Sequence, residues 1–153
     1  MKSAPYLYTE YLGFNLKESS ALTTHPELRQ ALSMAINREQ LISKLRAGIG
    51  EWRVTGFTPN VLLKKPTSKF YEYNPTAAKH IVDSIYKAVS KETIVISASP
   101  QQSDLCEFIQ NEWQKLGFKV EINTMPVATF RDYVANNKLY LFRKSWIADY
   151  PDP

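Results

Sequence analysis

The sequence is poor in the residues that build reactive centres. It has one cysteine, Cys106, so neither an intrachain disulfide nor a thiolate metal cluster can form. A lone thiol leaves the redox compartment open. The two histidines, His25 and His80, do not stand in a His–Glu–His metal spacing. The five glycines form no phosphate-cradling loop and no nucleophile elbow. No run approaches the roughly 18 consecutive apolar residues that a membrane span needs. The opening stretch, Met1 to Tyr6, carries a positive charge without an apolar run behind it, which is not a signal-peptide pattern. The formal net charge is +4, but the basic residues are scattered. Their one local cluster, Lys64, Lys65 and Lys69 around Pro66, suits a solvated loop better than a phosphate-tracking patch. Nucleic acid is therefore not an expected partner.

Two residual candidates for catalysis are weak on chemistry. Cys106 would need His25 or His80 as a base. It lies three residues before Ile109 and seven before Trp113, on one helical face, where a buried structural thiol is expected. Asp149 and Asp152 resemble an acid/base pair but flank Pro151, where carboxylates shape turns. No third group supports either. No enzyme, no metal and no cofactor is expected.

What is present is ordinary for a globular domain: 153 residues, 44% hydrophobic and 22% charged, enough for one domain with a real core. Tyr8 to Leu16 reads as a strand, with Tyr8, Leu12, Phe14 and Leu16 on one parity and Gly13 allowing close backbone approach. Thr24 with Glu27 matches a capping box around Pro26, opening a helix whose stripe is Leu28, Leu32, Ala35 and Ile36. Asn37 caps a second helix, with Leu41, Ile42 and Leu45 inward and Gly48 at its end. Residues 48 to 73 are irregular but carry Trp52, Phe57, Phe70, Tyr71 and Tyr73, so this segment is expected to pack over the domain or against a partner.

Asn74–Pro75 starts the next helix, with Ala78, Ile81, Val82, Ile85 and Val89 as its apolar stripe. From there the chain alternates. Thr93 to Ala98 is a β-branched strand covered on both faces, and Asp104 to Leu116 is a helix stopped by Gly117. Phe118, Val120 and Ile122 mark a strand with one drier face. Pro126 to Asn136 is a helix with Phe130, Tyr133 and Val134 inward, and a strand follows over 139 to 146. Strand–helix–strand–helix–strand with short links implies parallel crossovers and an α/β domain.

The chain is organised around its last fifteen residues. Leu139, Tyr140, Leu141 and Phe142 form a buried-type strand, after which Ser145, Trp146 and Ile147 lead to Asp149. Pro151 and Pro153 then stop regular structure. An aromatic and a carboxylate three apart, leaving a core strand, is a way to present a ligand group on a rigid base. A core Trp followed by a Pro/Asp turn is the alternative. The ligand site of an α/β sheet lies beyond the carboxyl ends of its strands, where Trp146 to Asp149 stand.

The segment LRQALSMAINREQLI (28–42) resembles the helix pair of the bacterial family 5 extracellular solute-binding proteins, the dipeptide and oligopeptide receptors of ABC transporters. Around it stand YLGFN (11–15), Gly48 to Gly50, Tyr73–Asn74–Pro75 with Ala78–Lys79, Gln110 through Gly117, and WIADYPDP (146–153), in the family's order. Asn37 departs from the usual Asp, and His25 from the residues common before the helix.

The resemblance implies a type II periplasmic-binding-protein architecture, in which two lobes close on a ligand. Residues 1–153 would be part of the C-terminal lobe, the ligand-binding lobe, with the N-terminal lobe and a final segment lying outside the sequence. It further implies that Asp149 meets a ligand's α-ammonium group and that the backbone of Ser145, Trp146 and Ile147 runs beside the peptide main chain. Arg143 would meet a ligand carboxylate, unless its strand turns it to solvent, and Trp146 would form a pocket wall unless it is core. The implied protein is a monomer outside the cytoplasm, periplasmic or otherwise extracytoplasmic, with or without a lipid anchor, working with permease subunits. Open alternatives are a receptor for a non-peptide solute, such as an oligosaccharide or a nickel complex, or the solute-sensing domain of a transcriptional regulator.

Overall fold

The structure is a computed structural model and describes residues 7–17, 19–51, 56–62, 71–89 and 91–147. Its elements run β1 (Tyr8–Phe14), α1 (Ala21–Thr24), α2 (Pro26–Met34), α3 (Arg38–Leu45), α4 (Pro75–Val89) and β2 (Thr93–Ala98). They continue with α5 (Ser103–Gln114), β3 (Lys119–Thr124), α6 (Val127–Ala135) and β4 (Leu141–Ile147). The four strands form one mixed sheet in the order β1-β4-β2-β3. β2 runs parallel to both β3 and β4, while β1 is antiparallel to β4. The α/β architecture and parallel crossovers expected from the sequence are found.

The helix starts follow from local chemistry. The side chains of Asn37 and Asn74 accept from the backbone N–H three residues on, Gln40 and Ala77, each at 2.9 Å. Such caps stabilise a helix by about 1 kcal/mol. The start of α2 differs from expectation. Ser20 and Thr23 form the capping box instead, opening the single turn α1, and Thr24 is absorbed into that turn. His25 is left as the N-cap of α2 with no side-chain cap, and Pro26 supplies the start by its fixed φ. The carboxylate of Glu92 reaches the Ala21 N–H at 2.9 Å, tying α1 to the entry of β2.

The pleat sorts the sheet's side chains. Ile94, Ile96, Ala98, Val120 and Leu141 lie in the main core with Leu28, Leu32, Ala78, Val82, Leu105, Ile109 and Trp113 from α2, α4 and α5. Among the described residues Trp113 is the largest fully buried side chain, and its indole N–H donates to the Leu32 carbonyl at 3.0 Å, fixing α5 against α2. On the opposite face, Phe142 joins Met125, Phe130, Val134 and Leu139 in a smaller cluster beneath α6. The Phe142 ring lies over Gly13, where an added Cβ would come within 2.6 Å of it. This is the close approach the glycine permits.

Two inward assignments change, at Leu16 and Tyr133, and the inward stripe of α3 is only partly buried. β1 ends at Phe14, so Leu16 is exposed. Tyr133 lies at the outer side of α6, and none of Leu41, Ile42 and Leu45 is fully buried, though Leu41 and Leu45 pack against the core. A helix covered on one side only needs no more than one narrow apolar stripe. Cys106 is fully buried, as expected, and burial pushes its thiol up to about 11.

Candidate functional site

β4 is flanked unequally along its length. Every residue from Leu141 to Ile147 pairs with β1, from Phe14 back to Tyr8. On its other edge the register with β2 consists of Ser97 opposite Phe142, and β2 ends one residue later at Ala98. Lys144 to Ile147 therefore run past the carboxyl end of the parallel strands with β1 on one side only, among the described residues. The Asn15 N–H donates to the Tyr140 carbonyl at 2.9 Å, so the main chain of Tyr140 faces the β1 side. Strand alternation then points the N–H and C=O groups of Ser145 and Ile147 the other way, toward the open edge. The main chain of Trp146 faces β1, and what this residue brings to the site is its ring.

Trp146 is half-buried and not core. On its face of the sheet, Tyr11 projects from β1, and Phe57 reaches over from the segment between α3 and α4. The Phe57 ring lies 5.2 Å from that of Trp146, tilted at 45°, and 5.0 Å from Tyr11, edge-on at 68°. Both separations fall in the range where aromatic pairs attract. The expectation that the irregular segment packs over the domain is met at Phe57. Trp52 and Phe70 lie outside the described residues.

The reverse face of the same strand end holds a buried ion cluster. Arg143 is neither solvent-facing nor free: its side chain is 7% exposed and its guanidinium contacts the Glu10 carboxylate. It also donates to the Tyr8 hydroxyl at 2.7 Å. Arg46, at the end of α3, reaches Glu10 at 3.0 Å and Asp104, at the start of α5, at 3.6 Å. Burial opposes the charged form of Glu10, but the Arg143 charge and the hydrogen bonds from Arg46 and Tyr8 outweigh it. The carboxyl is held below its ordinary value. The Nε of Arg143 is buried with no hydrogen-bond partner among the described residues. Glu10 stands directly opposite Ser145, so the cluster clamps the strand end from behind. Sequence reading missed Glu10, Tyr8, Arg46 and Phe57. Glu10 and Arg143 are 133 positions apart, and no local pattern joins them.

Asp149 lies outside the described residues, so Ser145, Trp146, Ile147 and Arg143 are the expected site residues that can be placed. A shallow concavity of about 300 Å³, lined by residues such as Phe14, Leu16, Val134 and Leu139, opens at the far end of β4, remote from Trp146. No group of His, Cys, Asp or Glu side chains among the described residues could hold a metal ion. No described helix is long and apolar enough to cross a membrane.

An α/β lobe with an open strand end, an aromatic wall beside it and a charge clamp behind it belongs to the class of ligand-binding folds. The chain is a member of the bacterial extracellular solute-binding proteins, family 5 Middle, whose pattern matches residues 1–153. That family is defined by binding a solute and not by a reaction. The chain is 28% identical over 92% of its length to di/tripeptide-binding protein 1 of Pseudomonas aeruginosa, and spans 28% of that protein. Among solved structures, the pheromone receptor PrgZ superposes with a TM-score of 0.82 at 27% identity, over 97% of this chain and 32% of its own. The periplasmic binding protein DppA of Helicobacter pylori, in complex with the peptide STSA, superposes with a TM-score of 0.81. At 21% identity, over 97% of this chain and 28% of that one, this likeness speaks for the fold alone. The expected binding-protein lobe is thus found, and the chain spans under a third of the length of these relatives.

Proposed function

We propose that this chain is part of the ligand-binding C-terminal lobe of the substrate-binding component of an ABC transporter. That component captures peptides outside the cytoplasm as a monomer, periplasmic or lipid-anchored, and delivers them to permease subunits. The observation that carries the reading is the open edge of β4, where the main chain of Ser145 and Ile147 is turned away from β1. An extended peptide adding to such an edge gains hydrogen bonds without its side chains being read. The relatives, a di/tripeptide-binding protein and a peptide-binding pheromone receptor, support a peptide as the solute.

In this reading Asp149 receives the α-ammonium group. A desolvated ammonium needs a fixed anion, and a charge-assisted hydrogen bond contributes roughly 1.5–3 kcal/mol net. Trp146 supplies a pocket wall. Arg143 serves a ligand carboxylate only by sharing its guanidinium with Glu10, which already holds it. The test is titration of the full-length protein and its Asp149→Asn variant with free and N-acetylated peptides. Either change should weaken binding about tenfold, or 1.4 kcal/mol. If neither does, the ammonium assignment is wrong, and a solute without an amino terminus becomes the better reading.

A further inference from the structure

We infer that Phe57 is a specificity-determining residue, which with Tyr11 and Trp146 receives an apolar side chain of the bound peptide. The inference rests on the peptide-binding reading and deepens it. Three elements distant in sequence converge on this point: β1 through Tyr11, β4 through Trp146, and the segment between α3 and α4 through Phe57. Phe57 is 47% exposed although its ring is held by two neighbours. What sets this exposed ring apart is that it stands in contact with two other aromatic rings beside the open strand edge. The two ring contacts thus leave part of the residue open to a further apolar group.

The position of the wall gives its occupant. It stands on the sheet face of Trp146, whose neighbours Ser145 and Ile147 offer their main chain to the open edge. A peptide lying along that edge projects alternate side chains to the two faces of the sheet. On one face they meet the aromatic wall. On the other they meet the strand side that carries Arg143 and Glu10. The charged group of β4 on the wall's own face is Lys144, exposed and opposite Tyr11. It is set back along the strand from Trp146, whose cross-strand partner Thr9 is buried, so among the described residues the surface at this strand end is mainly aromatic. An apolar side chain fits that surface, and an acidic one is the competing occupant because of Lys144.

The experiment measures dissociation constants of the full-length protein for a peptide series that differs at one residue, as Ala, Leu, Phe or Asp. The series is repeated on Phe57→Ala and Phe57→Leu, with thermal unfolding as a check on folding. The unsubstituted protein should favour Leu or Phe over Ala by at least about tenfold, the scale of a few methylenes in an apolar pocket. Phe57→Ala should erase that preference and leave the Ala peptide within about threefold, and Phe57→Leu should keep most of it for the Leu peptide. Quenching or shift of Trp146 fluorescence on binding the Phe peptide should be lost in Phe57→Ala. Equal loss for every peptide, no loss for any, or a preference for Asp would overturn the inference and leave peptide binding intact. An unsubstituted protein that binds no peptide would overturn the peptide reading and the inference together.

Discussion

Replacing Glu10 by Gln tests the charge clamp behind the strand end, because it removes the anion and keeps the shape. Glu10 is the shared acceptor of Arg143 and Arg46, and the Arg143 side chain is only 7% exposed. Breaking a fully buried pair by removing one partner costs about 3–5 kcal/mol. The present case is smaller. The Glu10 side chain keeps 21% of its exposure, and Arg143 retains the Tyr8 hydroxyl at 2.7 Å. A loss of about 2 kcal/mol is expected, or roughly 4–8 °C in melting temperature for a chain of this size. The sign of its pH dependence follows from the depressed carboxyl of Glu10. A group whose folded value lies below its unfolded one contributes stability above the unfolded value, and that stability is lost as pH falls through the folded value. Urea unfolding of the two proteins at pH 7 should therefore show the full difference. The gap should narrow below the ordinary carboxyl value of 4.5 and close once the native carboxyl is protonated. A difference that stays constant down to that acid limit would show that Glu10 acts through shape and not through charge.

Two further outcomes follow from buried groups away from the site. Trp113→Phe leaves the Leu32 carbonyl without its donor in the core and should cost about 1–3 kcal/mol by denaturant titration, with no change in ligand preference. Cys106, fully buried and with its thiol raised to about 11, should resist a thiol reagent at pH 8 in the native protein and react at once in denaturant. Rapid native labelling would contradict the burial.

The sequence made the local devices legible. Asn37 and Asn74 announce helix starts because a cap and the N–H it satisfies lie three residues apart, and β2 falls on its expected residues. The same locality misled at Thr24, where two overlapping cap patterns compete and the earlier one, Ser20 with Thr23, has the better geometry. Trp146 was identified as important from its neighbours, but its partner Phe57 stands in a segment without periodicity. Only the fold brings the two rings to 5.2 Å. The antiparallel placing of β1 beside β4, and with it the Glu10–Arg143 pair, is likewise a property of tertiary structure. Charges on two strands far apart in sequence carry no mark of which will meet.

The open edge of β4 also acts as a ruler. Successive outward-facing residues on one strand edge, Ser145 and Ile147, are two positions apart, which is about 6.7 Å at strand rise. An extended peptide lying beside them advances by two residues over that distance. Among the described residues two such positions face the open edge, and since each exchanged hydrogen bond nets about 1 kcal/mol, they would set the path of an added peptide more than its affinity. Discrimination must then come from whatever stands at the two margins of the ruler. On the peptide-binding proposal, a strand edge that pairs through main-chain groups is tolerant of ligand sequence by construction, and it leaves the choice of cargo to the walls around it.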